Sequence, residues 1–88
     1  MCTYINKQAD ICGSGKGAQG WFPLARLTVG FDHPVSAQLG HAVLIDFQNP
    51  DIDAGGRIAL ELDIASATAL AGTLQETIAE ALQSGLAE

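Results

Sequence analysis

Apolar and polar residues alternate along three stretches of the chain, and near residue 66 the period changes. In PLARLTVGF, which begins at Pro23, Leu27, Val29 and Phe31 fall on one side, with Arg26, Thr28, Gly30 and Asp32 on the other. In HAVLIDF (41–47), His41, Val43, Ile45 and Phe47 alternate with Ala42, Leu44 and Asp46. RIALELDI (57–64) is the cleanest, setting Ile58, Leu60, Leu62 and Ile64 against Arg57, Ala59, Glu61 and Asp63. A period of two sends successive side chains to opposite faces, so each stretch predicts a strand with one buried face. CTYINKQADIC (2–12) mixes β-formers with polar residues and predicts a further strand at the start.

Beyond Ser66 the apolar residues recur at helical spacing. Leu70, Leu74, Ile78 and Leu82 come every fourth position, flanked by Ala67, Ala71 and Ala81, which predicts an amphipathic helix. Ser66 is the expected N-cap and Gly85 the C-terminal stop. Gly72 inside this helix costs about 1 kcal/mol relative to alanine, which points to a close backbone contact there. DHPVSAQLG and NPDIDAGG carry turn chemistry and serve as connections.

The order is ββββα, an α+β fold: a four-stranded, mostly antiparallel sheet with one C-terminal helix on one face, in a single small domain over residues 1–88. One helix cannot cover both faces of four strands. The other face mixes Thr28, Gly30, Ala42, Leu44 and Ala59 with Arg26, Asp46, Glu61 and Asp63, too apolar to be fully solvated. The expectation is a homodimer that packs through this outer sheet face. Small size adds to the pressure, because a chain this short buries only about 60–65% of its unfolded surface.

Charge narrows the partners. The net charge is −6, and the four fixed cations, Lys7, Lys16, Arg26 and Arg57, are scattered. Phosphate backbones and anionic membranes are met by clustered Lys and Arg, so neither nucleic acid nor membrane is an expected partner. No apolar run approaches the roughly 18 residues of a membrane span, and the expected location is cytoplasmic. Cys2 and Cys12, in one extended segment, would lie about 30 Å apart; free thiols are expected, not a disulfide.

Two places concentrate chemistry. The first is GSGKGAQGWF (13–22), where Gly15-Lys16-Gly17-Ala18-Gln19-Gly20 matches G-x-G-x-x-G letter for letter. That pattern works by presenting the N–H groups of a following helix to a pyrophosphate, and here Trp21-Phe22-Pro23 and a strand follow. The P-loop pattern fails as well, because Gly17 stands where a magnesium-binding Ser or Thr belongs. The segment reads as a flexible connection between strands, as a bare phosphate nest, or as a mobile flap over a small ligand. In the flap reading Gly15 and Gly17 hinge it, Lys16 is its charged tip, and Trp21 and Phe22 form an apolar wall.

The second place is the connection flanked by the chain's two histidines, His33 and His41. A hairpin of the second and third strands would bring the imidazoles together, with Asp32 and Cys2 as further candidates. Three readings stand side by side. Asp32-His33-Pro34 is a structural turn; or His33, His41, Cys2 and Asp32 form an acid/base site, with Asp32 orienting His33 within that turn; or Cys2, His33 and His41 hold zinc or another divalent transition metal.

At MCTYINK, GSGKGAQGWFPL, FDHP and IDFQNP the chain resembles a family of short actinobacterial proteins for which no activity is known. The resemblance runs over most of the chain, and through the neighbourhood of such genes it implies small-molecule chemistry. The leading expectation is therefore a small-molecule-binding protein, with a pocket near the glycine flap lined by Trp21, Phe22, Cys2, His33 and His41. If an enzyme, it is a cyclase, isomerase or lyase working by histidine proton transfer, with Lys16 stabilising negative charge. A metal-binding protein and a structural or regulatory protein-interaction module are the alternatives.

Overall fold

The computed structural model describes residues 5–52 and 56–88. Four strands, β1 (Asn6–Gly17), β2 (Gly20–Asp32), β3 (Ala42–Gln48) and β4 (Arg57–Leu62), form one antiparallel sheet in the order β1-β2-β3-β4. One helix, α1 (Ile64–Ser84), follows. The fold is the expected α+β sheet with a C-terminal helix, and its strand order is that of a meander.

The alternation sets the register. Val29 lies opposite Ile45, and Ile45 opposite Leu60; Leu27, Phe47 and Ile58 form the next such row, and Phe31, Val43 and Leu62 the one after. These rows make the inner face, against which α1 packs. Arg26, Thr28, Asp46, Ala59 and Glu61 share the outer face, as the period of two requires. There Arg57 bonds Asp46 through Nε (2.9 Å) and Nη2 (2.8 Å).

The glycine-rich segment departs from the expectation. It is not a loose connection, because both strands run on through it. Gly15 pairs with Phe22, Lys16 with Trp21 and Gly17 with Gly20, so only Ala18 and Gln19 turn the chain. Both keep negative φ and the positive value, 107°, falls on Gly20. That is the pattern of a type I turn closed by a glycine bulge. A second irregularity between Asp10 and Gly13 sets two residues, Ile11 and Cys12, against one.

This long hairpin curls across the sheet. β1 and β4 are opposite edges, yet a Cβ placed on Gly15 would come within 2.7 Å of Ile58 Cδ1 and 3.2 Å of a Leu24 methyl. Gly15 is buried; glycine is what permits that approach. Asn49 ties the curl at the far end of β3: its side-chain amide donates to the Pro23 carbonyl (3.0 Å), and its N–H to the Gly56 carbonyl (3.0 Å).

The helix begins earlier than the pattern predicts. Its N-cap is Asp63, not Ser66, with the Asp63 carboxylate accepting the Ser66 N–H at 2.7 Å. Ser66 is the third helical residue, the usual donor to a capping side chain. Gly85, with φ of 77°, ends the helix as expected. Gly72 does not mark the expected close contact: a Cβ there would find open space among the described residues.

Packing between helix and sheet is thin. None of the 21 residues of α1 is buried, and among the described residues the buried apolar side chains are Phe22, Ala42 and Ile45. A cavity of about 280 Å³ separates the two layers, lined by Leu27, Val43 and Phe47 from the sheet and by Ala67, Leu70 and Leu74 from the helix. The radius of gyration, 14.6 Å, exceeds the roughly 12 Å expected of a compact 88-residue domain.

Candidate functional site

The β2–β3 connection is where charged, aromatic and backbone groups converge. β2 ends at Asp32 and β3 begins at Ala42, which pairs with Asp32, so the hairpin sets His33 and His41 side by side. Their ring centroids are 4.4 Å apart, with planes tilted by 43°. His41 also stacks on Phe31, at 5.5 Å and 23°. The expected approach of the two imidazoles is what the hairpin produces.

Asp32 orients His33. One carboxylate oxygen, Oδ1, accepts the His33 backbone N–H at 2.7 Å and lies 3.1 Å from His33 Nδ1. A carboxylate can only accept, so this contact is a hydrogen bond in the tautomer that carries its proton on Nδ1, which leaves Nε2 as that ring's basic nitrogen. Adjacent side chains diverge within a strand; this contact forms because the strand ends at Asp32. The site is open to solvent, with the His33 side chain 53% exposed.

The connection itself is held by Glu61, a residue the sequence marks only as an outward position on β4. Its carboxylate accepts three successive backbone N–H groups: Val35 at 2.6 Å and, on the other oxygen, Ser36 at 2.9 Å and Ala37 at 2.8 Å. The Ala37 bond, then those of Val35 and Ser36, hold the Glu61 carboxyl below the ordinary glutamate value. Consecutive N–H groups turned to one point form an anion nest, and the chain fills it with its own carboxylate. The connection is thereby drawn over the outer face, beside a shallow cavity of about 600 Å³ bordered by Val35, Ala37, Arg57 and Ala59.

Beside Phe31 on the inner face runs an apolar groove of about 400 Å³, lined by Ile5, Lys7, Val29, Phe31, Val43 and Ile64. The Phe31 ring therefore joins this groove to His41.

The other predicted site residues lie elsewhere. Trp21 and His33 sit at opposite ends of β2, separated by about 40 Å of strand at 3.3 Å per residue. Lys16, Gly15, Gly17, Trp21 and Phe22 thus gather at the hairpin tip, and do not line one pocket with His33 and His41. Nor do Trp21 and Phe22 make one wall: as neighbours in a strand they face opposite ways, Trp21 70% exposed and Phe22 8%. Cys12 carries a free thiol at the bulge in β1. Cys2 lies outside the described residues, and so does its part in either the acid/base or the metal reading. Among the described residues no group of three or more His, Cys, Asp and Glu is placed to hold a metal ion.

A profile described as a family of unknown function (DUF6295) matches residues 1–87. The chain belongs to that family. No curated protein and no solved structure matches the chain. For this member of DUF6295 the residues themselves therefore carry any functional reading. No helix among its described residues is long and apolar enough to cross a membrane.

Proposed function

We propose that this protein binds a small organic molecule at the His33–His41 end of the sheet and moves a proton on it. One observation carries the reading: two imidazoles 4.4 Å apart, one of them with Nδ1 3.1 Å from a carboxylate oxygen. A neutral imidazole with Nδ1–H held by Asp32 presents Nε2 as a base, and its neighbour can return the proton as an acid. That pairing suits an isomerase, cyclase or lyase, in which one proton leaves a substrate carbon or oxygen and another arrives. The apolar groove on Ile5, Val29 and Phe31 would take the substrate's hydrocarbon part, and Lys7 at its edge a negative charge. An exposed free thiol, Cys12, fits a reducing, cytoplasmic setting.

The test is a screen of small carboxylic acids and carbonyl compounds against ¹⁵N-labelled protein. Shifts grouped at Phe31, His33, His41 and the groove, and lost in His33→Ala and His41→Ala, support the reading. Shifts that survive both substitutions, or no responding compound, would sink it.

The Asp32–His33 bond also favours a second reading, since a carboxylate on Nδ1 is what orients a metal-ligating histidine. Zinc or another divalent transition metal would then bind His33 Nε2 and His41, with Cys2 as the further ligand. Elemental analysis of the purified protein decides it: stoichiometric metal, lost in His33→Ala, is the required result.

A further inference from the structure

The surface that the fold leaves unsatisfied is on α1. Leu74 is 53% exposed, Ile78 56% and Leu82 67%, and Leu86, just past the end of the helix, 84%. From Leu74 onward exposure rises, because Ala67, Leu70 and Leu74 line the cavity shared with the sheet and Ile78 and Leu82 do not. At 1.5 Å per residue the helix is about 32 Å long, so roughly half its apolar stripe projects past its own core.

We propose that α1 forms the centre of a homodimer interface, in which a second copy lays its own helix antiparallel against Leu74, Ile78 and Leu82 across a two-fold axis. This is a different surface from the outer sheet face, which the 33–41 connection partly covers.

Three observations point to a second copy. The first is area. A Leu or Ile side chain presents on the order of 100 Å² of apolar surface, from its burial free energy at about 25 cal/mol per Å². At the exposures above, Leu74, Ile78, Leu82 and Leu86 together present about 260 Å². A standard interface buries about 800 Å² per partner, some 65% of it apolar at a homodimer, so this stripe supplies about half of that share.

The second is charge. At 100° per residue, Glu76 and Glu80 fall 200° and 240° round the helix from Leu74 (about 3.6 residues per turn), on the far side from the stripe. A chain of net charge −6 can then meet itself there without opposing carboxylates, whereas a basic partner would find no acid on the face it must bind. Antiparallel helices also set opposite dipole ends together. The third is shape: Ala81, small beside Ile78 and Leu82, leaves room that the same stripe can enter, as an isologous contact requires.

The experiment is sedimentation equilibrium on the full chain over about a hundredfold concentration range, paired with thermal unfolding at each concentration. The wild type is expected at twice the 9.1 kDa chain mass, with a Tm that climbs with concentration. Ile78→Glu and Leu82→Glu are expected to give the single-chain mass or to lose the fold, while Gln83→Glu on the far side and Ala59→Glu on the outer sheet face keep the dimer. A wild type at 9.1 kDa with a concentration-independent Tm overturns the proposal. So does a dimer that survives both helix substitutions, or one that Ala59→Glu dissociates. Where a charged variant does not fold, the wild-type mass and Tm series decide.

Discussion

Glu61 holds Ala37 across 24 residues of sequence: the β4 carboxylate accepts the loop N–H at 2.8 Å and adds the N–H groups of Val35 and Ser36. Through this grip β4 fixes the connection that carries both histidines. Glu61→Gln keeps the side-chain shape and removes the charge. Amide exchange is expected to quicken at Val35, Ser36 and Ala37 while the Ile45 amide stays protected. Unchanged protection at all four would show that the carboxylate does not hold the loop.

The acid limb of stability follows from the same bonds. Glu61 lies below the ordinary 4.5, through the Ala37, Val35 and Ser36 N–H groups, and Asp63 below 3.8, through its bonds to Ser66. With both folded values depressed, the unfolded chain takes up protons first. Their contribution is complete at neutral pH, begins to fade as pH falls toward 4.5, and is gone once pH has passed the folded values. Urea midpoints measured from pH 7 down to pH 3 should therefore fall, and less steeply in Glu61→Gln and Asp63→Asn.

Gly15 is expected to tolerate no side chain. A valine there must displace Ile58 Cδ1, 2.7 Å from the new Cβ, and the Leu24 methyls. Such overpacking costs about 1–3 kcal/mol, read as a drop in the urea midpoint at constant slope. Gly13→Val is the control, since a Cβ at Gly13 meets nothing within 4 Å.

The ring stack at the site has its own energy. A double-mutant cycle on Phe31→Leu and His41→Ala should return a coupling of about 0.5–1.5 kcal/mol, the usual worth of an aromatic pair. A coupling near zero would mean that Phe31 does not position His41.

The core prediction is the largest. Ile45, 8% exposed between Val29 and Leu60, should cost about 2–5 kcal/mol when cut to alanine. In a core this thin that removes most of the margin by which small domains are stable. Circular dichroism of Ile45→Ala should show a largely unfolded chain at dilute concentration.

Much of this was written in side-chain periodicity. Leu27, Val29, Phe31 and their partners on β3 and β4 show a period of two because one face meets the helix, and Leu70 to Leu82 a period near four because one stripe does. The histidine pair could be read from two residues flanking one short connection. The strand through Gly15 and Gly17 could not, because glycine has no side chain to betray which face is buried. Asp63 continued the alternation of β4 and so hid its role as N-cap behind Ser66. Glu61 looked like any outward carboxylate, since its partners are backbone amides that every residue of the loop possesses.

The sequence by itself determined the order of elements, the inner and outer face of each strand and the stripe on the helix, because these follow from local geometry. Tertiary structure alone decided that the hairpin tip curls to Ile58 and not toward the histidines, and that Glu61 grips the loop. It also left the far half of α1 exposed among the described residues. Those outcomes depend on which distant backbone groups meet, and no repeating pattern of residues encodes such a meeting.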